Sequence, residues 1–143
     1  GKDKPVTSEA NEVLTETDGV LYKVDTMNSR IEWKGYKVLK SDQTTHFGSI
    51  KFESGDVTVK EGKLQSGKFV ADITTLENID LKDDQEMKAK LEGHLKSGDF
   101  FEVEKFPTAS YEITKVTENA AGDYNTLLEG NLTIKGITKP VQF

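Results

Sequence analysis

Hydrophobic and polar residues alternate with a period of two from Val20 to the end of the chain, and Gly, Asn and Asp separate the alternating segments. This pattern is typical of β-strands that bury one face. It predicts strands over 21–25, 30–38, 46–53, 57–59, 63–74, 109–113, 124–130 and 131–137. We expect the first two strands to form a hairpin across 26–29, and we expect a tight turn or a bulge at Ser66–Gly67.

One segment breaks this alternation. Residues 83–96 carry Met87, Leu91 and either His94 or Leu95 at helical spacing, with acidic residues in the first turn. Both features favour an α-helix, because acidic side chains complement the positive end of the helix dipole. The sequence therefore predicts a mainly β fold of six to eight antiparallel strands with one helix, which is a barrel or a sharply curved sheet.

The composition favours one domain preceded by a flexible segment. The chain has 143 residues, enough for a single core, and residues 1–19 are polar and lack periodicity. We interpret 1–19 as a tether and 20–143 as the domain. The net charge of −6 argues against nucleic acid as a partner. No segment approaches the roughly 20 apolar residues of an integral membrane span.

The sequence offers little chemistry of the kind that catalysis or metal binding needs. It contains no cysteine and only two histidines, His46 and His94, and these do not form an HxH or HExxH motif. We therefore predict no metal site, no cofactor and no catalytic residues. We interpret His46 as a hydrogen-bonding residue of the structure or of a cavity rim. His94 lies where an imidazole complements the end of the helix dipole.

Small residues recur among the larger residues of the predicted inward faces. They are Gly35, Gly48, Ala71, Ala109 and Gly130. An eight-stranded barrel has an interior that is either filled by side chains or just wide enough for one slim ligand. The small residues either leave a channel in such an interior or let the strands bend at barrel corners. The sequence leaves both interpretations open.

Several blocks of the sequence resemble those of a known family. They are GHLKSGDFFEVEKFP at Gly93–Pro107, LEGNLTIKGITKPV at Leu128–Val141, and a strand over Gly67–Thr75 that runs into a threonine turn. In order and spacing, from about Tyr22 onward, they resemble the YceI-like family of bacterial polyisoprenoid-binding proteins. The resemblance implies an extended lipocalin-like β-barrel around a long apolar tunnel for an isoprenoid-type lipid. It also implies a location in the periplasm or, as an anchored lipoprotein, in the bacterial envelope.

The resemblance implies that inward apolar side chains form the wall of the tunnel, although the same residues are equally candidates for plain core. The candidate ligand-binding residues are Trp33, Ile50, Phe52, Phe69, Ile73, Met87, Leu91, Phe100, Phe101, Tyr111 and Leu132. Among them, Phe100 and Phe101 either cap the tunnel or plug the barrel. Met87 and Leu91 pack the helix onto the barrel mouth or act as a lid.

Three functions are compatible with this fold. The leading hypothesis is binding or carrying of a polyisoprenoid or an isoprenoid quinone. The second is an enzyme acting on an isoprenoid-like substrate, for which Tyr111 and His46 are the polar pair available. The third is an interaction protein with a solid barrel. Family members usually continue beyond the equivalent of Val141 with closing strands, so we expect a barrel that lacks them or that a second copy closes, as in a homodimer.

Overall fold

The computed structural model describes residues 18–39, 42–118 and 126–143 of the protein. Its elements are β1 Val20–Lys23, β2 Arg30–Leu39, β3 Asp42–Lys60, β4 Lys63–Asn78, α1 Gln85–Lys96, β5 Thr108–Glu118, β6 Thr126–Ile134 and β7 Ile137–Gln142. The prediction of a mainly β fold with one helix is confirmed over the described ranges. The helix begins at Gln85, because the Asp84 carboxylate caps it by accepting a hydrogen bond from the Met87 N–H (3.1 Å). Apart from its last two residues, the tether expected over 1–19 lies outside the described residues.

The predicted hairpin between the first two strands is wrong. Both β1 and β2 pair with β3, β1 along residues 56–59 and β2 along residues 42–51. The predicted strands 46–53 and 57–59 are in fact one strand that runs through Gly55, and it is long enough to seat both partners. The Val24 N–H continues the ladder between them by donating to the Gly55 carbonyl (2.7 Å).

All strand pairs are antiparallel, and the hydrogen bonds do not close the sheet. The order is β1-β3-β4-β5-β6-β7, with β2 also on β3. Within the described ranges, β7 pairs only with β6, and β1 and β2 pair only with β3. The expected barrel is therefore not confirmed, because the described residues form a seven-stranded sheet that hydrogen bonds do not close. Several register shifts between β3 and β4, and one between β5 and β6, add bends and local twist.

The largest irregularity lies in β4, where residues 73–76 face Ile50 alone. Thr75 fills the gap in the ladder, because its hydroxyl accepts a hydrogen bond from the Lys51 N–H (2.8 Å) and donates one to the Asp72 carbonyl (2.6 Å). The extra residues change which positions of β4 are buried. The buried positions next to the irregularity are Ala71 and Ile73 before it, and Leu76 and Asn78 after it.

Two tight turns differ in position from the prediction. The chain reverses between β3 and β4 at Glu61–Gly62 (φ 53° and 77°) and between β6 and β7 at Lys135–Gly136 (φ 53° and 74°). Two consecutive positive φ angles are the signature of the hairpin turns that match strand twist. Of the two alternatives expected at Ser66–Gly67, the turn is wrong, since both residues lie within β4, but a bulge is present beside Ser66, because the register with β3 shifts between the pairs Thr58–Ser66 and Val59–Leu64. The boundary expected after Gly130 is wrong because β6 continues to Ile134.

The core lies on the face of the sheet that we call the inner face. Its buried apolar residues are Ile50, Ala71, Ile73, Leu76 and Ala109, against which Ile31, Trp33, Leu95, Phe101 and Val103 pack. Helix α1 contributes no fully buried residue and lies against β4. The helix therefore covers the inner face without penetrating it.

Two of the small residues lie beneath aromatic rings. A Cβ atom on Gly130 would lie 2.4 Å from Cζ of Tyr111 and 2.6 Å from the Glu112 carbonyl oxygen. A Cβ atom on Gly48 would lie 1.8 Å from the Glu77 carbonyl oxygen and 2.6 Å from the Trp33 ring. At these positions glycine makes room for a side chain of the neighbouring strand.

Replacing Gly130 by alanine is expected to lower the free energy of unfolding by about 1–3 kcal/mol, because the methyl group meets a ring and a backbone oxygen. Gly93→Ala is the matched control, since no atom lies within 4 Å of the new Cβ on the exposed side of α1. It is expected to raise the free energy by about 0.5–1 kcal/mol. Urea denaturation measures both, and a Gly130→Ala variant as stable as the parent contradicts the packing described.

Candidate functional site

An apolar cavity of about 180 Å³ lies on the inner face, and we call it the sheet cavity. It brings together many of the residues proposed from the sequence, namely Ile50, Phe52, Phe69, Ile73, Phe101, Tyr111 and Leu132. Strand pairing places them side by side, because Phe69 lies opposite Tyr111 and Tyr111 lies opposite Leu132. The pattern of alternation therefore identified one wall of side chains.

Two alanines provide space in the middle of this wall. Ala71 and Ala109 are opposite each other on β4 and β5, both are buried, and both line the sheet cavity. Directly opposed side chains of neighbouring strands are in contact range. A pair of methyl groups therefore leaves open space where a pair of larger side chains would fill it.

Tyr111 lines the sheet cavity and is held in place by two contacts near the end of the chain. Its hydroxyl donates to the Val141 carbonyl (3.1 Å), and its ring meets the Phe143 ring edge-on with centroids 5.2 Å apart. The pKa of Tyr111 is raised to about 12, mainly by burial and to a smaller extent by the nearby charge of Glu129. The phenol thus stays protonated at neutral pH, and its proton is engaged by the backbone.

A second cavity, of about 450 Å³, lies between α1 and strands β2 and β3, and we call it the helix cavity. Trp33, Leu91 and Phe100 from the predicted set line it, together with Gly35, His46, His94 and Leu95. Its volume is within the roughly 300–1,000 Å³ of small-molecule sites. Met87 lines neither of these two cavities, and its side chain is 48% exposed.

The two cavities share no lining residue. His46 lines the helix cavity and Tyr111 lines the sheet cavity, so the structure does not bring the nominated polar pair to one place. Within the described ranges, no cluster of His, Asp and Glu side chains is arranged to hold a metal ion.

His46 is held by a partner that the sequence analysis missed. Its Nδ1 lies 2.7 Å from Oδ2 of Asp80, while Oδ1 of Asp80 accepts hydrogen bonds from the Phe47 N–H (2.7 Å) and from Nδ2 of Asn78 (2.6 Å). Burial acts to raise the pKa of Asp80, but these hydrogen bonds outweigh it and hold the pKa below its usual 3.8. The available signal was the polar pair Asn78 and Asp80 immediately after an apolar strand.

Asn78 is completely buried at the end of β4, and its polar groups are satisfied. Its N–H donates to Oε2 of Glu92 on the helix (2.8 Å), and its Oδ1 accepts from the Leu81 N–H (3.0 Å). Glu92 also pairs with Lys88 (2.6 Å). Burial acts to raise the pKa of Glu92, but the Lys88 ammonium and the Asn78 N–H together lower it.

No helix of the described residues has both the length and the apolar character needed to cross a bilayer.

His94 lies near the C-terminal end of α1. Its ring packs edge-on against the ring of Phe100, with the ring centroids 4.9 Å apart.

Comparison with known proteins gives a consistent result. A family model described as a YceI-like domain matches residues 22–143. A UPF0312 protein of Vibrio vulnificus is 25% identical over 137 residues, which are 96% of this chain and 63% of that protein. A UPF0312 protein of Pseudomonas aeruginosa is 34% identical over 126 residues, covering 84% of this chain and 58% of the relative. The chain thus spans less than two thirds of the length of these relatives, and neither name specifies a ligand or a reaction.

The hydrogen bonds of Asp80 predict an acid-sensitive contribution to stability. Because the folded pKa lies below the unfolded value, the contribution is complete above pH 3.8 and is lost as the pH falls through the lower folded value. We expect Asp80→Asn to flatten the fall of the unfolding free energy below about pH 5. Asp83→Asn, at an exposed position, is the control and should leave the pH dependence of the unfolding free energy as it is in the parent. Urea denaturation at several pH values measures this dependence. The same dependence in both variants would argue against the hydrogen-bond network of Asp80.

Proposed function

Because the chain belongs to the YceI-like family, we propose that it binds and carries a long apolar lipid of the polyisoprenoid class, such as a polyprenyl chain or an isoprenoid quinone. The supporting observation is the apolar sheet cavity, in which the Ala71–Ala109 pair leaves space between large side chains. An interaction protein with a solid interior has no need of such a cavity.

Burial of hydrocarbon alone supplies enough free energy for this function. A buried methylene contributes about 0.8 kcal/mol, so each five-carbon isoprene unit contributes roughly 3–4 kcal/mol before costs. Association costs roughly 4–15 kcal/mol. Three or four units therefore offset this cost without a strong polar contact.

The sheet cavity by itself is too small for such a chain, since a cavity of about 150 Å³ holds a single benzene. We propose that the ligand also occupies the helix cavity and passes the Trp33 ring, which lies over Gly48 between the two cavities. Ile31, Trp33 and Gly35 follow one another on the inner face of β2, and they pair with Ile50, Gly48 and His46 of β3. We call these three pairs the β2–β3 lane; it begins at the sheet cavity and ends at the helix cavity.

We propose binding without catalysis. An isomerase or cyclase needs polar groups that reach the same substrate atoms. The only pair nominated from the sequence, Tyr111 and His46, lies in two different cavities. Catalysis on a prenyl substrate is the outcome that would replace the carrier.

The cellular location and the oligomeric state are part of the proposal. A lipid carrier of this family is expected in the periplasm or as a lipoprotein anchored in the bacterial envelope, which fractionation of cells tests. Within the described ranges the sheet has free edges at β7 and at β1–β2, and pairing of these edges would form a homodimer. Light scattering of the purified protein tests this arrangement.

We expect lipid to co-purify with the protein from bacterial cells, and native mass spectrometry detects it as added mass. Added prenyl hydrocarbons should bind more tightly as the chain lengthens, until the cavities are full. The single tryptophan, Trp33, lies on the wall of the helix cavity, so its fluorescence reports the titration. An affinity that does not vary with chain length rules out the carrier.

Filling the sheet cavity should abolish most of this binding. Ala109→Leu places a branched side chain into the cavity, and we expect at least about a tenfold loss of affinity, equivalent to about 1.4 kcal/mol. Ala89→Leu on the exposed side of α1 is the matched control and should bind like the parent. Circular dichroism checks that both variants fold, and a folded Ala109→Leu variant with parental affinity contradicts the proposed position of the ligand.

A further inference from the structure

The helix cavity differs from the sheet cavity in having two imidazoles on its wall, those of His46 and His94. His46 ends the β2–β3 lane, opposite Gly35, and its Nδ1 is bound by Asp80 at 2.7 Å. Asp80 engages Nδ1 and does not line the cavity, so Nε2 is the ring nitrogen left for a ligand in the cavity. Within the described ranges, Nε2 has no hydrogen-bond partner.

The partners of Asp80 determine which nitrogen of His46 carries the proton. Asp80 accepts two further hydrogen bonds, from the Phe47 N–H and from Asn78, which favours the carboxylate form. A carboxylate can only accept, and therefore Nδ1 of His46 must donate. In the neutral ring Nε2 then presents a lone pair to the cavity.

We propose that the helix cavity holds the polar end of the ligand and that this end is a hydroxyl group, hydrogen-bonded to Nε2 of His46. The inference rests on the proposed function, because it assigns the apolar tail to the β2–β3 lane and the sheet cavity. A hydroxyl donates to the neutral imidazole and accepts from the charged one, so it fits both protonation states. Carbonyl and ether oxygens only accept.

The rest of the wall disfavours a charged head group. Leu91, Leu95 and the indole of Trp33 line the same cavity as His46, and the ring of His94 packs against Phe100. Transfer of a diphosphate into these surroundings removes its hydration without supplying cationic partners such as arginine. The neutral alcohol carries no such cost.

The geometry also gives the distance between the two ends of the ligand. From the Ile31–Ile50 pair to the Gly35–His46 pair the lane advances four residues, which is roughly 13 Å at the rise of a β-strand. For a hydroxyl at His46, the tail of the same molecule must therefore pass the Trp33 ring, which lies over Gly48 in the middle of the lane, to reach the sheet cavity.

The test compares probes that have one tail and different head groups, titrated into the full chain by calorimetry and Trp33 fluorescence. The probes are geranylgeraniol, its methyl ether and geranylgeranyl diphosphate. We expect the alcohol to bind roughly two- to tenfold more tightly than the ether, the effect of one net hydrogen bond. The diphosphate should bind no more tightly than the alcohol. An ether that equals the alcohol, or a diphosphate that exceeds it, overturns the assignment.

A variant that moves the proton within the ring gives a sharper test. In Asp80→Asn, Oδ1 keeps its bonds to the Phe47 N–H and Asn78, while the amide nitrogen replaces Oδ2 and donates to Nδ1 of His46. The proton of the neutral ring then lies on Nε2, which can donate it to an ether oxygen as well as to an alcohol oxygen. We expect the preference for the alcohol to disappear in this variant and to persist in the matched control Asp83→Asn.

His46→Phe keeps a ring in place and removes both nitrogens, so it should also equalise alcohol and ether. Thermal unfolding checks that each variant folds, and if His46→Phe does not, Asp80→Asn decides the question. Persistence of the alcohol preference in a folded Asp80→Asn variant overturns the inference. Titrations of the parent protein separate the two proposals. If none of the probes binds, the carrier function fails. If ether and alcohol bind equally well, only the hydroxyl site is removed.

Discussion

The arrangement of the inner face depends on the complete burial of one asparagine. A buried amide left without partners costs about 1–3 kcal/mol, so Asn78 is tolerated at the end of β4 only where each of its polar groups is satisfied. Its partners lie on Asp80, on the loop at Leu81 and on Glu92 of the helix. A single residue thus fixes the end of a strand, the approach of the helix and the carboxylate that orients His46.

This explains how a helix without a buried side chain occupies a defined place. Packing of an apolar face normally positions a surface helix. In α1, Leu95 packs against the core, and both Leu91 and Leu95 border the helix cavity. Directional hydrogen bonds add to this limited packing and hold the helix beside an open space. The structure therefore combines a fixed helix with a hollow beneath it.

The sequence predicted the strands and the composition of the sheet cavity well, because alternation is a local property. Ile50, Ile73 and Leu132 were placed on one wall without knowledge of the pairing. The strand pairing could not be predicted from the sequence. β1 pairs with β3 rather than with β2, and this depends on the length of β3 and on the hydrogen bond from Val24 to Gly55, neither of which a local pattern shows. The irregularity at 73–76 reverses the buried positions of β4, which a period-two pattern cannot anticipate. His46 and Asp80 are 34 residues apart, so their contact leaves no spacing signal.

The division of one sheet edge between β1 and β2 affects how copies of the protein meet. An uninterrupted edge strand offers a continuous row of unpaired backbone groups, which is the template on which fibrils grow. Here the row is broken at 24–29, where the Asp25 carboxylate accepts from the N–H groups of Met27 and Asn28. On the opposite edge, Pro140 removes a donor from β7. Neighbouring molecules can therefore align only over short stretches, and stacking without limit is disfavoured.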